Sequence, residues 1–182
     1  MSIVSRVGLT FESSFATPLL GPLCPIGFYA EANNLFLMNL NYEKRNIRVL
    51  PGDTDALGIL NWQAYVRYCE EGEVGLMEML DFNCMRFFNE QKISFPRRAA
   101  TFQYLSPVSP DSLIDLETTV KKIGKTSFTL SHSFFKKNSE DGDRILSAKA
   151  EVTAVAFDFQ IHEKVKLPLE LVGALKRVLN PT

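Results

Sequence analysis

The chain is short of several things that catalysis commonly draws on: among its 182 residues are two histidines, three cysteines and one tryptophan. It also lacks an excess of either charge, with 20 Lys and Arg against 21 Asp and Glu, a net charge of -1. Each shortage excludes something. A near-neutral balance argues against a dedicated nucleic-acid binder, which needs a basic face. The local run Lys121, Lys122, Lys125 reads as a solvated strand edge. Cys24, Cys69 and Cys84 are odd in number and form no C-x-x-C pair. They read as reduced, mostly buried thiols and not as a disulfide or zinc framework. No stretch reaches the apolar length of a membrane span. The motifs G-x-S-x-G, H-E-x-x-H, G-x-x-x-x-G-K-[ST] and G-x-G-x-x-G are all missing, which removes serine hydrolases, zincins, P-loop enzymes and dinucleotide binders of the usual spelling. His132 falls on an apolar strand face and reads as a core histidine, while His162 follows the last strand as a surface loop residue. A Ser-His-Asp triad through Ser131 or Ser133 has no supporting geometry.

What is present is a composition that is 46% hydrophobic, enough for one well-buried domain. Residues 1–40 read as an N-terminal extension with one basic residue, Arg6, and two acidic ones, Glu12 and Glu31. The segment is poor in acids and rich in hydroxyl residues but lacks the arginines of a targeting presequence. A targeting segment and a plain extension both stay open. With them stay open a cytoplasmic and a plastid or other organellar location.

Residues 41–182 are regular. Tyr42 to Leu50 alternates charged and apolar residues, as a strand near a sheet edge does. The loop Pro51 to Leu60 follows. Asn61 to Leu80 carries Trp62, Tyr65, Val66, Cys69, Leu76, Met77 and Leu80 at three- and four-residue spacing, which predicts a long amphipathic helix. Glu70, Glu71 and Glu73 read as its solvated face. Gly72 and Gly75 each cost about 1 kcal/mol in a helix interior, a cost that suits close approach to a sheet. A short helical segment is expected over Cys84 to Glu90. Strands are predicted at Ala99–Leu105, Leu113–Ile123, Thr126–Phe135 and Ile145–Phe157, joined by hairpins. The Asp141-Gly142 pair in Ser139 to Asp143 is expected to supply the positive φ of a hairpin turn. Leu146, Ala148, Ala150, Val152, Ala154 and Ala156 share one strand face, small enough for the long helix to lie close. A last helix, Leu167 to Leu179, has Pro168 at an early position. This order predicts an α+β domain in which a curved, mostly antiparallel sheet wraps one long central helix.

The chemistry concentrates in Pro51-Gly52-Asp53-Thr54-Asp55-Ala56-Leu57-Gly58-Ile59-Leu60-Asn61-Trp62. Asp55 lies in a glycine-containing loop that feeds the start of the long helix. A carboxylate there can activate water while unpaired N–H groups at the helix start polarise a carbonyl. Those parts suffice to hydrolyse an ester or thioester without a metal or a serine.

The cluster Asp55-x-x-Gly58-x-x-Asn61-x-x-x-Tyr65, followed by Tyr68 and Glu70-Glu71-Gly72, resembles the signature of hotdog-fold thioesterases, in particular the 4-hydroxybenzoyl-CoA thioesterase-like acyl-CoA thioesterases. Tyr65-x-x-Tyr68-Cys69-x-x-Gly72 and Phe102-x-Tyr104-Leu105-Ser106-Pro107 are similar to plant plastid acyl-lipid thioesterases. The resemblance spans Tyr42 to about Leu179. It implies an acyl-thioester hydrolase with Asp55 as general base or nucleophile, the backbone N–H near Trp62 on the carbonyl oxygen, and Asn61 orienting the loop or a water. Gly58 and Tyr65 would border the substrate, and Lys125, Thr126 and Ser127 would take the CoA phosphates. It implies CoA or acyl carrier protein as part of the substrate, no other cofactor, no metal, and a homodimer or homotetramer. Two positions depart from the pattern: Trp62 stands where histidine or asparagine is frequent, and Glu73 near a frequent arginine. A hotdog dehydratase would need a histidine at the helix entry, which this chain lacks. A non-catalytic acyl-CoA-binding hotdog protein is the other alternative.

Overall fold

The structure, a computed structural model, describes residues 41–179. The N-terminal extension and Cys24 lie outside the described residues. In chain order the elements are β1 (Tyr42–Arg48), a 3-10 turn (Pro51–Asp53), α1 (Trp62–Met79), α2 (Cys84–Gln91), β2 (Ile93–Ser94), β3 (Arg97–Tyr104), β4 (Leu113–Ile123), β5 (Ser127–Lys137), β6 (Ile145–Val155), β7 (Phe157–Asp158), β8 (Glu163–Lys164) and α3 (Leu169–Lys176). Five strands form one antiparallel sheet in the order β1-β4-β5-β6-β3. β2, β7 and β8 form a second, small sheet.

The alternation of the sequence decides which face of the large sheet meets α1. Ile114, Leu116, Thr118 and Val120 of β4 are buried, as are Phe128, Leu130, His132 and Phe134 of β5. These are every second residue of each strand, the spacing that puts side chains on one face. From α1, Tyr65, Tyr68, Cys69, Leu76 and Met77 are buried against that face.

Two glycines let α1 sit close to the strands. A Cβ on Gly72 would lie 2.3 Å from Thr118 Oγ1 and 3.3 Å from His132 Nδ1. One on Gly75 would lie 2.0 Å from the Tyr42 ring. Beneath Gly72, Thr118 Oγ1 and His132 Nδ1 are 3.0 Å apart in a hydrogen bond. His132 is fully buried, its Nε2 has no partner among the described residues, and burial drives its pKa down to about 4. It is a core histidine as expected, but among the described residues only one of its ring nitrogens is satisfied.

Four expectations are corrected. The close approach of α1 is made at β1, β4 and β5 through its own glycines, not on the alanine face of β6. There Ala148, Ala150 and Val152 instead share a core with the large Tyr65, Tyr68 and Phe134 side chains. β3 and β4 are not a hairpin: Arg97–Tyr104 of β3 pairs with Ala148–Ala154 of β6, which puts β3 at the end of the sheet among the described residues. Gly142 has no positive φ, since the β5–β6 connection spans seven residues and closes through Gly142 N–H donating to Ser139 O at 3.1 Å. Glu73 is not solvated: it is 6% exposed and ion-paired with Arg97 at 2.7 Å.

Gly72→Ala is expected to lower stability by about 1–3 kcal/mol in urea denaturation, since Thr118 and His132 are held in buried strands and cannot yield. Gly75→Ala should cost less, because the half-buried Tyr42 ring on the edge strand can turn aside and alanine regains about 1 kcal/mol of helix propensity.

Candidate active site

The loop between β1 and α1 is fastened by its backbone. Asp55 N–H donates to Ile59 O at 2.9 Å, Gly58 N–H to Asp55 O at 3.0 Å, and Leu60 N–H to Val108 O at 2.8 Å. Gly58 turns the chain at φ +70°. A Cβ at Gly58 would meet nothing within 4 Å, so this position requires glycine for its backbone angle and not for space. Asp55 itself is exposed. Its Oδ1 accepts from Leu57 N–H at 2.8 Å and Ile59 N–H at 3.3 Å, which fixes the carboxylate across the turn. Its Oδ2 has no partner among the described residues.

At the helix start, Asn61 Oδ1 accepts from Ala64 N–H at 2.9 Å. Asn61 is therefore the N-cap, which satisfies the third N–H of the helix and leaves those of Trp62 and Gln63 without an intrahelical acceptor. The Trp62 side chain is 63% exposed. Tyr65 is buried, its ring 5.2 Å from Tyr104 and 5.1 Å from Phe134 between centroids; burial raises its pKa.

Asp55, Asn61, Trp62 and Tyr65 line one cavity of about 700 Å³, together with Tyr104 and the segment Leu105–Val108. The structure thus brings together Asp55, the helix N-terminus and Tyr65, with Gly58 shaping the loop beside them. It does not bring Lys125, Thr126 and Ser127 to this cavity. Lys125 and Thr126 lie in the β4–β5 turn and Ser127 opens β5, at the end of β4 opposite to the one that pairs with Arg48. Eleven residues of strand separate the two ends, roughly 30 Å or more.

What the sequence reading missed is Asp53, which holds the loop to the helix. Asp53 is 6% exposed. Its Oδ1 accepts from Arg67 Nη2 at 2.6 Å, and its Oδ2 from Leu50 N–H at 3.1 Å and Tyr68 OH at 3.2 Å. Its backbone carbonyl accepts from Asn61 N–H at 2.9 Å. Burial alone would raise the Asp53 pKa; the Arg67 hydrogen bond, the Leu50 N–H and the Arg67 charge outweigh it and hold it below the usual value. The signal was available: a second aspartate two residues before Asp55, with Arg67 and Tyr68 adjacent on the helix.

An antiparallel sheet packed on a long central helix is the hotdog fold. Residues 49–175 match the thioesterase-like superfamily, and the chain belongs to it. It is a thioester hydrolase. A 1,4-dihydroxy-2-naphthoyl-CoA hydrolase of Crocosphaera subtropica is 24% identical over 124 residues, 68% of this chain and 88% of that protein. The acyl-CoA thioester hydrolase YbgC of Escherichia coli is 24% identical over 140 residues, 77% of this chain and all (100%) of that protein. The crystal structure of 4-hydroxybenzoyl-CoA thioesterase from a Pseudomonas species has the same fold, with a TM-score of 0.66, 20% identity, and coverage of 74% of this chain and 98% of that one. Among the described residues no helix is long and apolar enough to cross a membrane.

Asp53→Ala is expected to destabilise by about 1–3 kcal/mol, the cost of a buried hydrogen-bonding site left unpaired. Because the folded pKa of Asp53 is depressed, its stabilisation is full above the ordinary value of 3.8 and is lost as pH falls through the folded value. The stability gap between wild type and Asp53→Ala should therefore hold from neutral pH to about pH 5 and narrow at lower pH, as read by denaturation at a series of pH values.

Proposed function

We propose that the protein hydrolyses acyl-CoA thioesters at the Asp55 cavity. The observation that carries this reading is the shared wall: an exposed carboxylate pinned through one oxygen, and a helix N-terminus with two N–H groups that have no intrahelical acceptor, border one cavity. Asp55 drives addition to the thioester carbonyl, either by taking a proton from water or by adding to the carbon itself and being released by water. The Trp62 N–H, with the positive end of the helix behind it, stabilises the oxyanion. One such donor is worth about 2.7–4 kcal/mol, or roughly 10²–10³ in rate. The thiolate leaves as CoA and the product is the free acid. No metal or redox group is required for these steps. Acyl carrier protein is the alternative thiol carrier.

Asn61 acts through the helix start it caps, and Tyr65 borders the acyl group. The Lys125, Thr126 and Ser127 turn can serve the same site only from a second chain. An antiparallel pairing of two sheets would reverse the ends and bring that turn of one subunit toward the Asp55 end of the other. A homodimer is accordingly the minimal assembly of this reading, and a homotetramer a pair of such dimers. The fold similarity and the family membership support this reading.

Asp55→Asn should lower kcat for thiol release from an acyl-CoA panel by about 10²-fold or more, with unfolding unchanged since the side chain is exposed. Wild-type turnover by this variant would sink the assignment. Trp62→Ala should keep kcat within a fewfold and raise KM, because the oxyanion donor is backbone.

A further inference from the structure

Among the described residues three buried side-chain atoms have no hydrogen-bond partner: Glu43 Oε1, His132 Nε2 and Ser106 Oγ. Glu43 Oε1 is compensated by the charge of Arg144, whose Nη1 lies 3.3 Å away. His132 is a fully buried core residue. Ser106 differs from both, because it belongs to the wall of the Asp55 cavity. A hydroxyl shut away from water without a partner destabilises the fold. Alanine would occupy the same place without that cost, so nothing in the resting chain accounts for serine there.

Looseness does not account for it either. Leu105 N–H and Ser106 N–H both donate to Ser147 O, at 2.8 and 3.1 Å. Pro107 O accepts from Lys136 Nζ at 2.9 Å, and Val108 O from Leu60 N–H at 2.8 Å. Four consecutive residues are thus fastened to β6, to β5 and to the loop that carries Asp55. Pro107 also restricts the backbone of Ser106 to extended angles. With the backbone held, rotation about Cα–Cβ between staggered positions is the freedom left to the hydroxyl.

Asp55 has the complementary need. Its Oδ1 is engaged by Leu57 N–H and Ile59 N–H, which leaves Oδ2 to receive a water. A water donating one proton to Oδ2 can still swing about that bond. A second acceptor engages its other proton and turns a lone pair toward the bound carbonyl. A serine oxygen has acceptor positions for this. Asn61, the polar side chain at the helix start, is already engaged through Oδ1 by Ala64 N–H.

We propose that Ser106 is a further catalytic residue: its hydroxyl turns into the cavity when the acyl thioester binds and, with Asp55 Oδ2, holds the attacking water. This rests on the thioesterase reading above, and on its route in which Asp55 is a base. The water donates to both oxygens while its lone pair forms the new C–O bond. Asp55 Oδ2 takes the proton from that water. Collapse of the tetrahedral intermediate breaks the C–S bond, and the proton leaves on the thiol.

The test compares Ser106→Ala with wild type in thiol release from an acyl-CoA panel, in urea denaturation, and in product ratio with hydroxylamine present. In Ser106→Ala kcat should fall roughly tenfold to a hundredfold while KM stays within about threefold. The denaturation midpoint should not fall, because the variant removes a buried hydroxyl that had no partner. Hydroxylamine attacks the acyl carbon without needing a water to be held. The ratio of hydroxamate to free acid, corrected for the enzyme-free reaction, should therefore rise severalfold in Ser106→Ala. Wild-type kcat in the variant, a lowered midpoint, or an unchanged product ratio would overturn the proposal. The last of these, with a raised KM, would make Ser106 a contact of the substrate and not of the water. Wild-type turnover by Asp55→Asn would instead overturn the underlying assignment of Asp55, whatever Ser106→Ala does.

Discussion

The buried carboxylate of Asp53 is the constraint on which the site depends. It is a charge taken out of water, and such a charge is tolerated only when its oxygens are engaged. Here the engagement comes from three partners on two sides: Leu50, just after β1, and Arg67 and Tyr68 from the second turn of α1. The strand end, the loop and the helix start are therefore held in one arrangement by a single side chain. Asp55, two residues further on, inherits its place from that arrangement. Its own hydrogen bonds are all local to the turn, and local bonds alone would not relate it to the helix.

Much of this was legible in the sequence, for identifiable reasons. The stripe of Tyr65, Cys69, Leu76 and Met77 set the helix and its buried face, because burial follows period 3.6 whatever the partner is. The alternation in Phe128, Leu130, His132 and Phe134 did the same for β5. Strand order was not legible. Nothing in the composition of Arg97–Tyr104 distinguishes an edge paired with β6 from a hairpin partner of β4, since pairing is decided by which backbone is free and not by local spelling. The Asp-Gly turn misled for a similar reason. With seven residues to close the β5–β6 connection, the chain had no need of a left-handed glycine.

The site shows the same division. Asp55, Gly58, Asn61 and Tyr65 stand within eleven consecutive residues, so local sequence brings them together, and the fold agrees. Lys125 was placed by resemblance, at a distance that only a second subunit could close. Glu73 was read as solvated because acidic neighbours at 70 and 71 usually mean an exposed face. Its partner Arg97 lies twenty-four residues away on another element, and no window of sequence contains both. Buried ion pairs between elements are the feature that pattern reading sees least well.

The contact under Gly72 carries a consequence for how this core can change over time. Gly72, Thr118 and His132 come from three elements, and each occupies space that the others leave. A methyl group gained at position 72 needs volume given up at 118 or 132, and a smaller residue at 132 would leave Thr118 Oγ1 without its bond. The three positions are locked in size as well as in polarity. Single replacements there pass through an unfavourable state, so sequence drift in this part of the sheet should proceed by paired exchanges while the solvent face of the same strands varies one residue at a time.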